Sequence, residues 1–537
     1  IGDWVYEEEF GHADFYQWSK GSDALIFVKS DESKVPEINI PIYGKNLYPK
    51  LMTYKYPKAG EVNSTVSAHL YQLNSAKTLD LNLGSFENYY IPQVFSTAKN
   101  DEVALATSNR HQNKVDILKV NTSNGAVSKL ISETDNAWIE TDGMTLEFLD
   151  DNSFLWASER SGFRHLYWFD AKGNLKKPVT KGNWEITDYY GFNPKTKEVF
   201  IQTTEKGSLN KVVSKVNISN GKMTLLSQAE GNNRADFSKN YQYFIETSST
   251  ANKPYVYTLK DGSGKSLKEL QNNDALLSKL TADNIATREF ITIPNEAGDQ
   301  MNAYIIKPKN FDPNKKYPLF MYQYSGPGSQ SVSNSWDGGN GLWFNHLVQK
   351  GYIVACVDGR GTGYKGTKFK KVTYKNLGKY EIEDQIAAAK WFGKQSYIDK
   401  SRIGIFGWSF GGYMTSLAMT KGADVFKAGI AVAPVTNWRY YDSIYTERFL
   451  QTPQENPEGY DQNSPTTFAK LLKGKFLLIH GTADDNVHFQ NSMEFSEALI
   501  QNNKQFEFMA YPDKNHGIYG GQTRPQLYKK MTDFILE

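Results

Sequence analysis

Up to about residue 280, apolar and polar residues alternate in short runs closed by Gly, Asn or Asp turns, and few stretches carry helical periodicity. This pattern predicts an all-β N-terminal half. One kind of hairpin segment recurs: Leu70–Leu73, Val115–Leu118 before Asn124-Gly125, Leu166–Phe169 before Gly173, Val212–Val216 before Asn220-Gly221, and Tyr255–Tyr257 before Asp261-Gly262. The repeats lie roughly 43 to 51 residues apart, about the length of one four-stranded propeller blade. Solenoid and sandwich arrangements compete, but a blade-length period with hairpin turns favours a β-propeller. A propeller removes its sheet edges only by closing the ring. About 280 residues supply five or six blades, so the propeller is expected to be incomplete in this chain, with further blades N-terminal to Ile1.

From about Arg288 the rhythm changes to buried strand, turn and amphipathic helix, which predicts a parallel sheet covered on both faces. The expected strands are Tyr317–Tyr322, Tyr352–Val357, Ile403–Phe406, Gly429–Val432, Phe476–Ile479 and Phe506–Met509, and the expected helices are Glu381–Phe392 and Gln522–Leu536. Two domains follow, 1–285 and 286–537.

Composition narrows the function classes. The 537 residues carry a formal charge of only +2 with basic and acidic residues interspersed, so neither nucleic acid nor an anionic membrane is indicated as a partner. No apolar run is long enough to span a bilayer. The single cysteine, Cys356, excludes an internal disulfide framework, no CxxC or HExxH spacing suggests a metal, and no cofactor is expected. One cysteine fits a bacterial envelope or cytosolic protein. The first residues have neither an initiator methionine nor a signal-peptide layout, so the chain reads as a fragment or processed product.

Gly407-Trp408-Ser409-Phe410-Gly411 sits between the strand Ile403–Phe406 and a helix-like run, Gly412–Leu417. That is the setting of a nucleophile elbow, whose glycines relieve backbone crowding beside the serine. A serine hydroxyl needs a base, and the base needs an acid to orient it. An α/β-hydrolase domain supplies them in the order Ser, Asp, His. Asp484 follows the strand Phe476–Ile479 and His516 follows Phe506–Met509, both at strand C-terminal ends, where open α/β sheets place their sites. Asp485 is a rival orienter. His480 is a rival base but precedes the aspartate and breaks the order. One oxyanion donor is expected to be the Phe410 N–H, and Tyr324, on the loop after an earlier strand, is a candidate for the second, with a core or loop aromatic as the competing reading. Gly361-Thr362-Gly363-Tyr364-Lys365-Gly366 matches GxGxxG, yet the basic stretch after it does not resemble a dinucleotide-binding helix. The lysines between Lys365 and Lys379 read as a solvated face, and the acidic run Glu7-Glu8-Glu9 as a solvated loop or a cation site.

These residues resemble the dipeptidyl-peptidase branch of the prolyl oligopeptidase family, in a bacterial type. The likeness rests on Gly407–Tyr413, His480–Phe489, Asp358–Gly361, Trp438–Arg448 and Asp3–Glu9. It implies that Glu8 and Glu9 bind the substrate's free α-ammonium, and that Val435, Trp438, Tyr441, Tyr445 and Val487 wall a compact pocket for proline or alanine at the second position. It further implies that Asn486 hydrogen-bonds the substrate carbonyl and that Tyr324 completes the oxyanion hole. The implied activity is release of N-terminal dipeptides from peptides with a free amino terminus. Tripeptide release and internal cleavage are the alternatives within the same family. The family's substrate-holding arginine lies N-terminal to the glutamate motif, so this chain offers no counterpart at that place. Phe410 stands where well-known relatives carry tyrosine. Members are commonly homodimers, through the C-terminal region and a propeller arm that Val35–Asn63 resembles. A periplasmic or envelope location is expected.

Overall fold

The structure is a computed structural model and describes residues 2–84 and 90–537. The N-terminal half folds into five four-stranded antiparallel sheets among the described residues, spanning 16–80, 90–134, 146–178, 186–225 and 232–271. The five recurring sequence segments fall on the third strand of successive sheets, so the period marks one position in each blade. Apolar clusters join neighbouring blades: Ile117 packs with Trp156 and Tyr167, and Leu155 and Leu166 pack with Val199 and Ile201. This is face-to-face blade packing, and with it the chain is a β-propeller followed by an α/β-hydrolase domain.

Blade one carries an insertion. Between its strands Ala24–Asp31 and Thr65–Gln72, the chain forms a two-stranded ribbon, Glu37–Ile42 paired with Lys50–Lys55. Ahead of this blade, Trp4–Phe10 is a short helix. Asp3 caps it by accepting from the Tyr6 N–H at 3.0 Å, and Gly11 ends it in the left-handed region at φ 69°.

The C-terminal half is built on one eight-stranded sheet, in the order Arg288–Pro294, Gln300–Ile306, Ile353–Asp358, Tyr317–Tyr322, Ile398–Trp408, Ala428–Val432, Lys475–Gly481, Glu507–Tyr511. The six expected strands are its parallel part. The sheet is mixed rather than wholly parallel, because Arg288–Pro294 and Gln300–Ile306 run antiparallel at one edge. Along Ile353–Asp358 the side chains divide between two cores: Ile353, Ala355 and Val357 face one, and Val354 and Cys356 the other. Helices Lys379–Gly393 and Phe410–Thr420 cover the first face, and Asn340–Gln349 and Thr523–Leu536 the second. Burial on both sides is why these strands read as continuous apolar runs.

One surface expectation is wrong. Lys370 and Lys371 do not form a solvated face: Lys370 Nζ lies 2.8 Å from Glu140 and 2.6 Å from Glu159, and Lys371 Nζ 2.8 Å from Asp135. Both side chains are 8% exposed. They neutralise propeller carboxylates that a basic run on the hydrolase domain meets at the junction, a pairing invisible in local sequence.

Candidate active site

The elbow is built by close packing around Ser409, which stands at φ 59° and ψ −119°, at the head of the helix Phe410–Thr420. A Cβ on Gly407 would fall 2.2 Å from the Gly411 carbonyl oxygen, and one on Gly411 would fall 2.6 Å from that of Gln323. The GxSxG glycines are therefore required by backbone approach, and the positive φ of the serine persists because the surroundings fix it. The Gln323 side chain ties the Tyr324 loop to this helix, donating to the Gly411 carbonyl at 2.7 Å. The Tyr324 hydroxyl lies beside Ser409, and burial raises its pKa, so it remains a neutral donor.

His516 Nδ1 lies 2.7 Å from Asp484 Oδ2. The other Asp484 oxygen accepts from the Asn486 and Val487 N–H groups at 3.1 and 2.9 Å. His480, the rival base, is fully buried, with Nε2 3.0 Å from Asp484 Oδ2 and Nδ1 2.7 Å from Ser492 Oγ, so it buttresses the carboxylate. Asp485 is not hydrogen-bonded to His516 and acts on it only at a distance. Burial alone would raise Asp484, but His516 and His480 hold it well below the usual carboxylate range. Burial would likewise lower His516, yet the Asp484 carboxylate, with Asp485 and Glu8, leaves it above its ordinary value. The neighbouring Trp408 fixes this loop by donating its indole N–H to the His516 carbonyl at 3.1 Å.

The acidic run is helical and borders this centre. Asn486 Nδ2 donates to Glu8 Oε1 at 3.1 Å, so a propeller residue touches the loop that carries Asp484. Glu9 is nearly buried, 3.7 Å from Arg448 Nη2. Burial, against the opposing Arg448 charge and with repulsion from Glu8 and Asp142, pushes Glu9 up to about 7. Close by, Trp438 and Tyr445 stack at 5.8 Å, and Tyr441 meets Tyr445 edge-on at 5.2 Å. Val435 and Val487 are buried in the same apolar cluster. Glu8 and Glu9, the aromatic cluster and the serine elbow thus lie side by side where the two domains meet.

Residues 1–255 match the family model described as the dipeptidyl peptidase IV (DPP IV) N-terminal region, and residues 342–537 that of the prolyl oligopeptidase family. Dipeptidyl peptidase 4 of Trichophyton equinum is 33% identical, covering 100% of this chain and 72% of that protein. The crystal structure of Porphyromonas gingivalis dipeptidyl peptidase 4 superimposes with a TM-score of 0.97 at 44% identity, covering 100% of this chain and 76% of the other. A putative dipeptidyl aminopeptidase IV from Bacteroides ovatus gives a TM-score of 0.90 at 30% identity, covering 99% and 78%. The chain belongs to the dipeptidyl peptidase IV group of the prolyl oligopeptidase family.

It is a serine peptidase of that group, and several residues near the cleft carried no readable role in sequence. Arg448 was part of a matching segment, and a charged pair, Glu447-Arg448, inside an apolar helix was its one local signal. Its Nε donates to Gln112 Oε1 at 2.8 Å, and Gln112 Nε2 donates to the Ile444 carbonyl at 2.6 Å. Gln112 is a fully buried propeller residue at φ 52°, with nothing in its surroundings in sequence to mark it. Glu447 receives Arg110 through two guanidinium contacts of 2.5 and 2.7 Å. The GxGxxG match is a packing loop: a Cβ on Gly363 would fall 2.5 Å from the Gly328 carbonyl oxygen, and Glu381 caps the Gly378 N–H at 2.9 Å.

Proposed function

We propose that Ser409 attacks the carbonyl after the second residue of a peptide, with His516 as base and then acid and Asp484 orienting it. Glu8 and Glu9 bind the free α-ammonium. The box of Val435, Trp438, Tyr441, Tyr445 and Val487 takes a proline or alanine side chain. Phe410 N–H and the Tyr324 hydroxyl receive the oxyanion, an acyl-enzyme forms on Ser409, and water releases a dipeptide. Asn486 bridges the two functions, because its amide reaches Glu8 while its Oδ1 lacks a hydrogen-bond partner. The observation that carries the reading is the Glu8 to Asn486 contact, two residues from Asp484, which sets an amine anchor beside the acid–base pair.

Hydrolysis of Gly-Pro-p-nitroanilide, beside its N-acetylated form and a Ser409→Ala variant, tests this. Cleavage confined to the free-amine substrate and dependent on Ser409 is expected. Equal cleavage of the acetylated form would indicate an endopeptidase, and release of a tripeptide from a longer peptide the tripeptidyl alternative. A homodimer is also proposed, supported by exposed Tyr43, Leu47, Tyr48 and Leu51 on the ribbon, and sedimentation would test it. A periplasmic or envelope location is the accompanying proposal, tested by fractionation.

A further inference from the structure

We infer that the ribbon of blade one is a positioning element for the chemistry, and that Asp513 is the residue through which it holds the His516 loop. The inference rests on His516 being the base. At the ribbon tip, the Tyr43 and Gly44 N–H groups donate to the two oxygens of the Asp513 carboxylate, each at 2.8 Å. Asp513 precedes His516 by three residues and stands at φ 55°, a conformation a non-glycine residue keeps only when its surroundings hold it. Its own N–H donates to Thr482 Oγ1 at 2.9 Å, and the Lys514 carbonyl accepts from Ala483 N–H at 3.0 Å. The turn before His516 is thus stitched to the segment leading into Asp484, with the ribbon gripping it from outside.

The second ribbon strand grips the acid's loop. The Tyr54 hydroxyl donates to the Asp485 carbonyl at 2.7 Å and lies 2.8 Å from His488 Nε2. Just past the ribbon, the Tyr56 hydroxyl donates to the Asn486 carbonyl at 3.1 Å, and the Ala59 N–H to the Tyr441 carbonyl at 3.0 Å. One propeller segment therefore bonds to all three hydrolase loops that bear His516, Asp484 and the aromatic box. The Asp513 contacts face solvent, where hydrogen bonds add little stability, so their consequence is placement. Acid–base transfer is sensitive to displacements of about 1 Å, which can cost on the order of 100-fold in rate.

Two variants of the full protein test the clamp. Asp513→Gly removes both acceptors while tolerating the left-handed backbone, so it separates the clamp from strain. Asp513→Asn also tolerates that backbone and keeps one carbonyl acceptor. The glycine variant should lose about tenfold or more in kcat, with KM for Gly-Pro-p-nitroanilide and Tm unchanged, because the amine anchor and the box lie on other elements. Its acid limb should also move to lower pH as the Asp484–His516 pair loosens. Asparagine should recover part of the kcat. Wild-type kcat in the glycine variant, an asparagine variant no better than glycine, or losses in kcat and KM that track a fallen Tm would each overturn the clamp. His516→Ala runs in parallel: if it stays active, the base assignment fails, and if it is dead while Asp513→Gly is fully active, only the clamp fails.

Discussion

Replacing Tyr324 by phenylalanine removes one oxygen and leaves the rest of the site in place. The ring packs 6.0 Å from that of Phe410, and Gln323 fixes the loop from the preceding position, so phenylalanine can keep both the rotamer and the packing. What is lost is the hydroxyl that lies beside Ser409 and would face the developing oxyanion. Loss of one such donor costs about 100- to 1000-fold, or about 2.7–4 kcal/mol in the transition state. The same hydroxyl contributes only about 1 kcal/mol to folding, so Tm should barely move. Because burial raises the Tyr324 pKa, the donor is neutral across the assay range and the deficit should not vary with pH. The assay is kcat/KM on Gly-Pro-p-nitroanilide, which reports acylation whatever the rate of deacylation, alongside thermal unfolding. A Tyr324→Phe enzyme within about threefold of wild type, where about 100-fold is expected, would refute the hydroxyl's role as an oxyanion donor.

Glu9→Gln should raise KM for free-amine substrates by about 30-fold or more, since truncating one partner of a buried charge pair costs about 2–5 kcal/mol; steady-state kinetics would show it. The pH profile of kcat/KM should be a narrow bell. Protonation of His516, which stands above its ordinary value, removes the base, and protonation of Glu9, at about 7, removes the anchor, so both losses fall on the acid side. The alkaline limb follows the substrate amine, with a pKa of about 7.7–8.0; a profile flat between about pH 5 and 9 would contradict this. Lys370→Met should destabilise by about 3–5 kcal/mol in urea unfolding, because it takes the ion-pair partner from Glu140 and leaves Glu159 with Lys371 alone, and adding Glu140→Gln should recover part of that.

Much of the fold was legible because its elements are periodic. The third strand of each blade repeats at a blade-length interval of roughly 43 to 51 residues, and the parallel hydrolase strands are unbroken apolar runs bounded by turns. The edge pair Arg288–Pro294 and Gln300–Ile306 was not resolved as strands, because the outer of the two is half-exposed and its apolar run is broken. The elbow was legible because the GxSxG spacing lies between a strand and a helix, although only Gly407 is enforced locally, by Gly411, and Gly411 itself is enforced by Gln323. Asp484 and His516 were legible from chain order and from their places after strands. Contacts set by the docking of two domains left no local trace. Lys370 meets partners 230 and 211 residues away, Gln112 reaches Arg448 across 336, and the ribbon reaches Asp513 across 470. Each looks ordinary in its own segment, and only the assembled junction explains it.

That junction also explains why an amine anchor should select for a free terminus. Burial raises Glu9 and Asp442 first, Glu8 adds to both and Glu9 adds to Asp442, while Arg448 only partly compensates, and its Nη2 lacks a hydrogen-bond partner. The free site thus stores mutual repulsion, and part of it is relieved by protons taken up near neutrality. A substrate ammonium supplies the missing positive charge, lowers those pKa values and displaces the protons. An acetylated terminus brings no charge, so it meets the desolvation cost of the carboxylates without relieving their repulsion. On the proposed reading, exclusion of blocked peptides would be an electrostatic property of the free site as much as a steric one, and substrate binding should release protons to buffer below about pH 7.5 but not well above it.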